Sequence, residues 1–571
     1  YAPGRVSPLF TFSTQWTRGP LDSSAASPIG QGLASFLLGL PTGGTGDRND
    51  SYAQTSHYTG FYFQDDWKIA RNLTVNLGLR YELEMPVTER FNRANRGFDF
   101  QTTNPIENAA VANYSKNPID ELPVSQFRTV GGLLFAGVGD QPRGMWELDK
   151  NNFMPRIGVA YQVNSKTVIR AGYGINFEAM GADRLEITQF GYSQPTSIVP
   201  SLDNGLTFRA TLADPFPDGL LEPAGASGGL KTLLGRAPSF ISPKLTPAYM
   251  QRWSLTIQHE LPGRLLLEAG YLGNRGNDLD LSRDFNTAPA SYLSTSPTRD
   301  QTTINRLTEQ VPNPFFGLAE FGGSGLAGKK VARQQLLKPM PHFSAVGSAT
   351  TEGFSWYHAG HLRMEKRMTH GYTVSATYTW SKMMEAAQLL NPSDAAPHQV
   401  ISTLDRPHHI TASGIWDAPW GRNKLWGGWT LSAMYQWQSG SPIGFGNIIF
   451  NGSLADIVLP RSERAPERWF NTGAGFNRVA AQQLASNIRT FPLRLTGLRT
   501  HEWNTINISV VKSFRIREGI RFQVRADAVD AFNHPIFAGP NTSPTSTLFG
   551  SVNATVGSYQ RTIELIGRLS W

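Results

Sequence analysis

The 571 residues include no cysteine. That excludes a disulfide scaffold, a thiolate metal site and a cysteine nucleophile, and it suits an oxidising compartment. Long apolar runs are missing too. The longest, LASFLLGL at 33–40, is broken by glycine and falls short of the ~18 residues a transmembrane helix needs. Mean hydropathy is -0.30. Charged residues make up only 17%, and the net charge of +8 is scattered, with no basic block of the kind that binds nucleic acid. No nucleic-acid partner is expected. The chain opens Tyr1-Ala2-Pro3 without methionine, basic segment or apolar leader, so the expectation is a removed signal or the C-terminal part of something longer.

What is present is alternation. In QDDWKIARNLTVNLGLRYE (64–82), Leu73, Val75, Leu77, Leu79 and Tyr81 share one face, while Thr74, Asn76, Gly78, Arg80 and Glu82 share the other. Period two marks a β-strand with one apolar side. Similar runs lie near 6–17, 54–69, 73–85, 152–163, 166–178, 248–261 and 264–273. They continue near 353–368, 372–384, 404–417, 428–439, 500–514, 519–532 and 558–571, about fourteen in all. Most suit the ~9–11 residues that a tilted strand needs to cross a bilayer.

The connections alternate as well. Ala70-Arg71-Asn72, Asn164-Ser165, Pro262-Gly263, Thr369-His370-Gly371 and Arg515-Ile516-Arg517-Glu518 are tight turns. Between them run long segments at 18–53, 86–151, 179–247, 274–352, 440–499 and 533–557, with a shorter one at 385–403 and an enlarged turn at 418–427. A soluble sandwich has no reason to gather its long loops at one end. An outer-membrane barrel does, because short turns face the periplasm and long loops face outside.

Charge decides which face is outside. The apolar faces Leu73/Val75/Leu77/Leu79/Tyr81, Ile169/Ala171/Tyr173/Ile175/Phe177 and Tyr372/Val374/Ala376/Tyr378/Trp380 carry none. Neither do Ile520/Phe522/Val524/Ala526/Ala528 and Ile563/Leu565/Gly567/Leu569/Trp571. Lys or Arg facing lipid at mid-depth costs ~2–4 kcal/mol, which clears that side. The opposite face carries the candidate lumen contacts Arg80, Arg170, Arg521, Arg525, Asp527 and Arg568. Aromatic residues near strand ends, among them Trp253, Trp356, Trp380, Trp416 and Trp429, suit interfacial girdles.

Several segments carry a family resemblance. The block GFYFQDDWKIARNLTVNLGLRYE (60–82), with ASFLLGLP (34–41) before it and Met85-Pro86 after it, resembles the C-terminal barrel of the Oar-like, TonB-dependent outer-membrane receptors. PRIGVAYQV (155–163), LRMEKRMTHGYTVSATYTWSK (362–382), DRPHHITASGIWDAPWG (405–421), QSGSPI (438–443) and RADAVDAFNHPIF (525–537) extend the likeness in order over nearly the whole chain. The resemblance implies a 22-stranded barrel closed by an N-terminal plug. It further implies a Gram-negative outer membrane, its lipid as surroundings, an inner-membrane energy-coupling complex acting through the plug, and the barrel-assembly machinery. No plug and no carboxypeptidase-regulatory-like domain is recognised within 1–571, which read as barrel throughout. In RTIELIGRLSW, Leu569 and Trp571 take the place of the family's assembly signal, with Gly567 one position later than its usual glycine.

The function expected is energy-coupled uptake of an unidentified bulky solute. The alternatives are a passive channel of about fourteen strands and an adhesive or structural barrel. No enzymatic activity and no cofactor is expected. His408-His409 with His398 could form a metal or haem contact at the outer rim, but the family-like motif holds histidine there without implying a ligand. Asp65 and Asp66 are adjacent in a strand and face apart. Asp47-Arg48-Asn49-Asp50 lacks calcium-loop spacing, and His501-Glu502 lacks the second histidine of a zinc-protease helix.

Overall fold

The computed structural model describes residues 7–19, 25, 29–181, 187–203, 205–420, 426–557 and 560–571. One antiparallel sheet dominates. Its strands, in chain order, are β1 (Tyr58–Ala70), β2 (Leu73–Glu84), β3 (Phe153–Asn164), β4 (Thr167–Phe177), β5 (Tyr249–Leu261), β6 (Leu265–Asp284) and β7 (Gly347–Thr369). Then come β8 (Tyr372–Ala386), β9 (His408–Asp417), β10 (Trp429–Gln438), β11 (Trp503–Arg517), β12 (Ile520–Val529) and β13 (Thr562–Ser570). Each pairs with the next in sequence, so the wall is an unbroken meander.

Thirteen wall strands stand where about fourteen were expected. The missing one is the run near 6–17, whose first residue lies outside the described residues. Only Leu9–Thr11 is extended there, paired with Gly43–Asn49, and Thr14–Trp16 is a 3-10 turn. Its aromatic residues serve a local fold: Phe12 meets Phe36 of the helix Gln31–Leu37 edge-on at 5.2 Å, and the Trp16 indole donates to the Pro41 carbonyl.

The count has a topological consequence. In a meander, the first and thirteenth strands run in the same direction. Among the described residues, β1 and β13 pair with β2 and β12 respectively and not with each other. Every residue of both edge strands is exposed. The sheet is therefore open at two edges.

The tight turns collect at one end, and their sequences explain why they are tight. His370 and Gly371 have φ of 53° and 79°, the doubly left-handed pair that a two-residue hairpin needs to match strand twist. The other end carries a cap built by the long connections, and the buried core lies there. One cluster joins Phe98, Phe127, Phe315 and Phe343 with helix residues Ala110, Tyr114 and Leu307. A second joins Phe445, Phe470, Phe476, Phe491 and Phe549. By contrast, the wall contributes only Met154, Leu281, Ala359 and Ala386 to the buried apolar residues. The longest strands, β6 at 20 residues and β7 at 23, run past the membrane span into this cap. There Ser239–Ile241 adds to β7 in parallel.

Register joins the apolar residues of neighbouring strands into one surface. Leu77 lies opposite Ile157, which neighbours Tyr173, while Leu255, Tyr271, Leu362 and Tyr378 continue the same apolar surface across β5 to β8. In lipid vesicles, Leu255→Arg on this surface should lower unfolding free energy by about 2–4 kcal/mol, whereas Thr256→Arg on the other side should change it little. Denaturant titration of the two variants checks this.

Candidate functional site

The polar face is a ladder of short hydroxyl residues edged by charge. Ser375 and Ser413 are cross-strand partners, as are Ser432 and Ser509. With Thr373 they floor a trough of about 440 Å³, walled by Arg525, Asp527 and Glu564 of β12 and β13. Ile415 and Met434 share the floor, opposite Ser432 and Ser413, and together these side chains do not fill the space in front of the sheet. They leave a hydrated wall rather than a packed interior.

All six sequence-predicted polar contacts fall on this face, spread across its width. Arg80 of β2 pairs with Glu82 and donates to the Tyr58 hydroxyl at 3.0 Å. Arg170 of β4 donates to Gln258, which in turn donates to Glu268; His361 meets the other Glu268 oxygen at 3.0 Å. Arg525 pairs with Asp527 at 2.7 Å. Arg521 lies opposite Arg515, and Arg568 lies opposite Gln523. Thus Arg525 and Asp527 act as a pair and share the trough, while Arg80 and Arg170 stand many strands away.

The two residues expected to carry the assembly signal separate. Leu569 sits opposite Phe522 on the apolar face, and Trp571 follows the end of β13, almost fully exposed. The rim histidines separate too. His408 lies opposite Trp380 on the apolar side and meets the Tyr378 hydroxyl at 2.9 Å, while His409 lies opposite Thr379 on the polar side. Asp65 and Asp66 oppose Leu77 and Asn76, one on each face. Asp47 and Arg48 lie within a strand of the cap, where Arg48 pairs with Glu222 at 2.6 Å. His501 packs its ring against Trp469 and Phe537. Among the described residues no group of three or more His, Asp or Glu comes together as a metal site.

Sequence reasoning missed the groups that hold the cap on the wall. Asp405, from the DRPHH stretch, is 1% exposed; it accepts from the Met383 amide and pairs with Arg499 at 2.7 Å. Arg494 pairs with Glu385 at the top of β8. Glu84, at the end of β2, accepts the Met180 and Gly181 amides, and within the connections Glu89 accepts those of Ala53, Phe91 and Arg93. The available signal was an acid at the long-loop end of β8 and another just before β9, Glu385 and Asp405, matched by Arg494 and Arg499 some 94 to 109 residues downstream. Deeper in the cap, His342 is fully buried beside Phe343, and burial pushes its pKa down to about 4.

A family model described as outer membrane beta barrel domain matches residues 3–564, and the chain belongs to that family. No curated protein matches it. Among solved structures, it is similar to the ferripyoverdine receptor of the outer membrane of Pseudomonas aeruginosa at 11% identity, covering 93% of this chain and 40% of that one with a TM-score of 0.38. The ferric-catecholate import receptor Fiu from Escherichia coli K12 is 9% identical, over 91% of this chain and 45% of that one, with a TM-score of 0.38. The outer membrane transporter YddB from Escherichia coli is 9% identical, over 90% and 54%, with a TM-score of 0.39. The chain therefore spans about half or less of the length of these structures. Family membership places it in the bacterial outer membrane.

His342 generates a pH prediction for the cap. Its folded pKa of about 4 lies below the ~6.5 of an unfolded histidine, so between these values the unfolded chain binds more protons. Cap stability should be full above pH 6.5, fall by about 3 kcal/mol on acidification to pH 4, and level off below. Hydrogen exchange of the cap amides across that range measures it, and His342→Gln should flatten the slope.

Proposed function

We propose that this outer-membrane chain forms the C-terminal part of the wall of a receptor that takes up a bulky solute by energy coupling. Further strands and a plug complete it. The supporting observation is the pair of open edges. Thirteen meander strands leave β1 and β13 running the same way, so an odd number of additional strands is required for antiparallel closure. Nine would make the 22 of the large plugged barrels. A barrel closed from these thirteen strands alone would join β1 to β13 in parallel, against the even, antiparallel rule of bacterial outer-membrane barrels.

In this reading the cap faces outside and captures the solute. The polar face lines its route, with Arg80, Arg170, Arg521, Arg525, Asp527 and Arg568 as contacts and the trough beside Asp527 as a recess along it. The energy-coupling complex acts through the plug, and the assembly machinery reads β13 with Leu569 and Trp571. The open, hydroxyl-rich floor favours a wide, hydrated lumen over a narrow pore filled by side chains.

Intact mass and N-terminal sequencing of the polypeptide extracted from outer membranes test the proposal. A mass well above 62.9 kDa, with uptake that collapses when the proton gradient is dissipated, is expected. A mature chain that begins at Tyr1, or solute flux indifferent to the gradient, would overturn it. Because the chain lacks cysteine, Ser227→Cys in the cap should react with an impermeant maleimide on intact cells.

A further inference from the structure

The apolar face is not uniform. On β7 it presents His358, Gly360 and Leu362 in succession. Gly360 lies between Tyr271 of β6 and Trp380 of β8, and a Cβ placed there would meet nothing within 4 Å. The missing side chain leaves a slot between two rings. The flanking strands are about 10 Å apart, which leaves room for one hydrocarbon chain between them. Two recesses of about 400 and 540 Å³ share Tyr271, Gly360 and Trp380 and so run together along the strand. Toward the tight turns, the slot is lined by Leu255, Ile257, Ala269 and Leu362.

Toward the cap, the chemistry changes. His358 and Lys382 are cross-strand partners immediately above Gly360 and Trp380. The Tyr271 hydroxyl lies 2.7 Å from His358 Nδ1, which orients the ring and leaves Nε2 outward. Lys382 is exposed, and among the described residues no hydrogen bond or ion pair engages its ammonium. The acid among the described residues lining this margin, Asp405, is already neutralised by Arg499. An apolar slot thus ends in an uncommitted cation.

We propose that this groove holds an acyl chain of a phosphorylated lipid of the outer leaflet, with Lys382 and His358 on its phosphate. The position at the cap end of the wall, which rests on the orientation given above, selects the outer leaflet. The charge selects an anionic head group over a zwitterionic one. A residue larger than glycine at position 360 would occupy the slot without displacing the backbone, which makes the site separable from folding.

The test uses the full-length protein in vesicles of phosphatidylethanolamine containing a minor fraction of bis-phosphorylated lipid A, followed by detergent extraction and native mass spectrometry. One lipid A should remain per wild-type chain. Lys382→Gln should lower its occupancy about fivefold, the equivalent of ~1 kcal/mol, and Gly360→Leu should abolish it. Lys366→Gln, at the far end of the same strand, should leave it unchanged. Equal retention by all variants, or loss of lipid A from the wild type on extraction, would overturn the site. In parallel vesicles that also hold phosphatidylglycerol, its retention in place of lipid A would overturn the outer-leaflet assignment. If the Ser227→Cys label shows the cap to be inaccessible on intact cells, the orientation fails; lipid retention in vesicles reports on the groove independently.

Discussion

Hydrocarbon offers no partner to a backbone amide, so each strand crossing a membrane must be hydrogen-bonded along both edges by its neighbours. The rest of this structure depends on that requirement. From β2 to β12 it is met by an unbroken antiparallel ladder, and at β1 and β13 it is met on one side only. Once the ladder is laid down, side chains must alternate between lipid and lumen. The wall then has no core of its own, which is why Leu77, Ile157, Leu255 and Leu362 are all exposed. The same requirement makes the number of strands, and not only their sequence, a functional quantity.

Folding energy of the ordinary kind is concentrated in the cap. Its connections bury phenylalanines in clusters as a soluble domain does, because at that end the solvent is water and apolar side chains gain by leaving it. The two regions are joined by the long strands β6 and β7 and by charged ties at the rim. Asp405 with Arg499 and Glu385 with Arg494 are largely withdrawn from solvent. Such pairs hold position more than they add stability, since desolvation offsets much of their attraction. They keep the cap in register with a wall whose lower half has no contact with it.

Legibility followed the range of the interactions. The strand 73–85 expected from alternation is Leu73–Glu84 in the structure, and 372–384 is Tyr372–Ala386. Alternation failed at 6–17, where the same pattern serves local packing of Phe12 on Phe36. It also stopped too early on β6, expected to end near 273 but extending to Asp284, because that upper segment bulges at Gly276 and Leu279 and loses strict period two. The cap core was not legible. Phe98 and Phe343 meet with ring centroids 5.6 Å apart, yet nothing local in either connection announces the other.

By itself, the sequence determined the strands, their two faces, the alternation of short and long connections and hence the outer-membrane class. All of these are consequences of period-two patterning and of where charge is tolerated. Only the tertiary structure decided the count of thirteen, the parity that leaves two like-directed edges open, the pairing of Asp405 with Arg499 at the rim, and the slot at Gly360 below Lys382. Each of these depends on the register of strands brought together from distant parts of the chain, and register is set by the whole ladder rather than by any one segment of it.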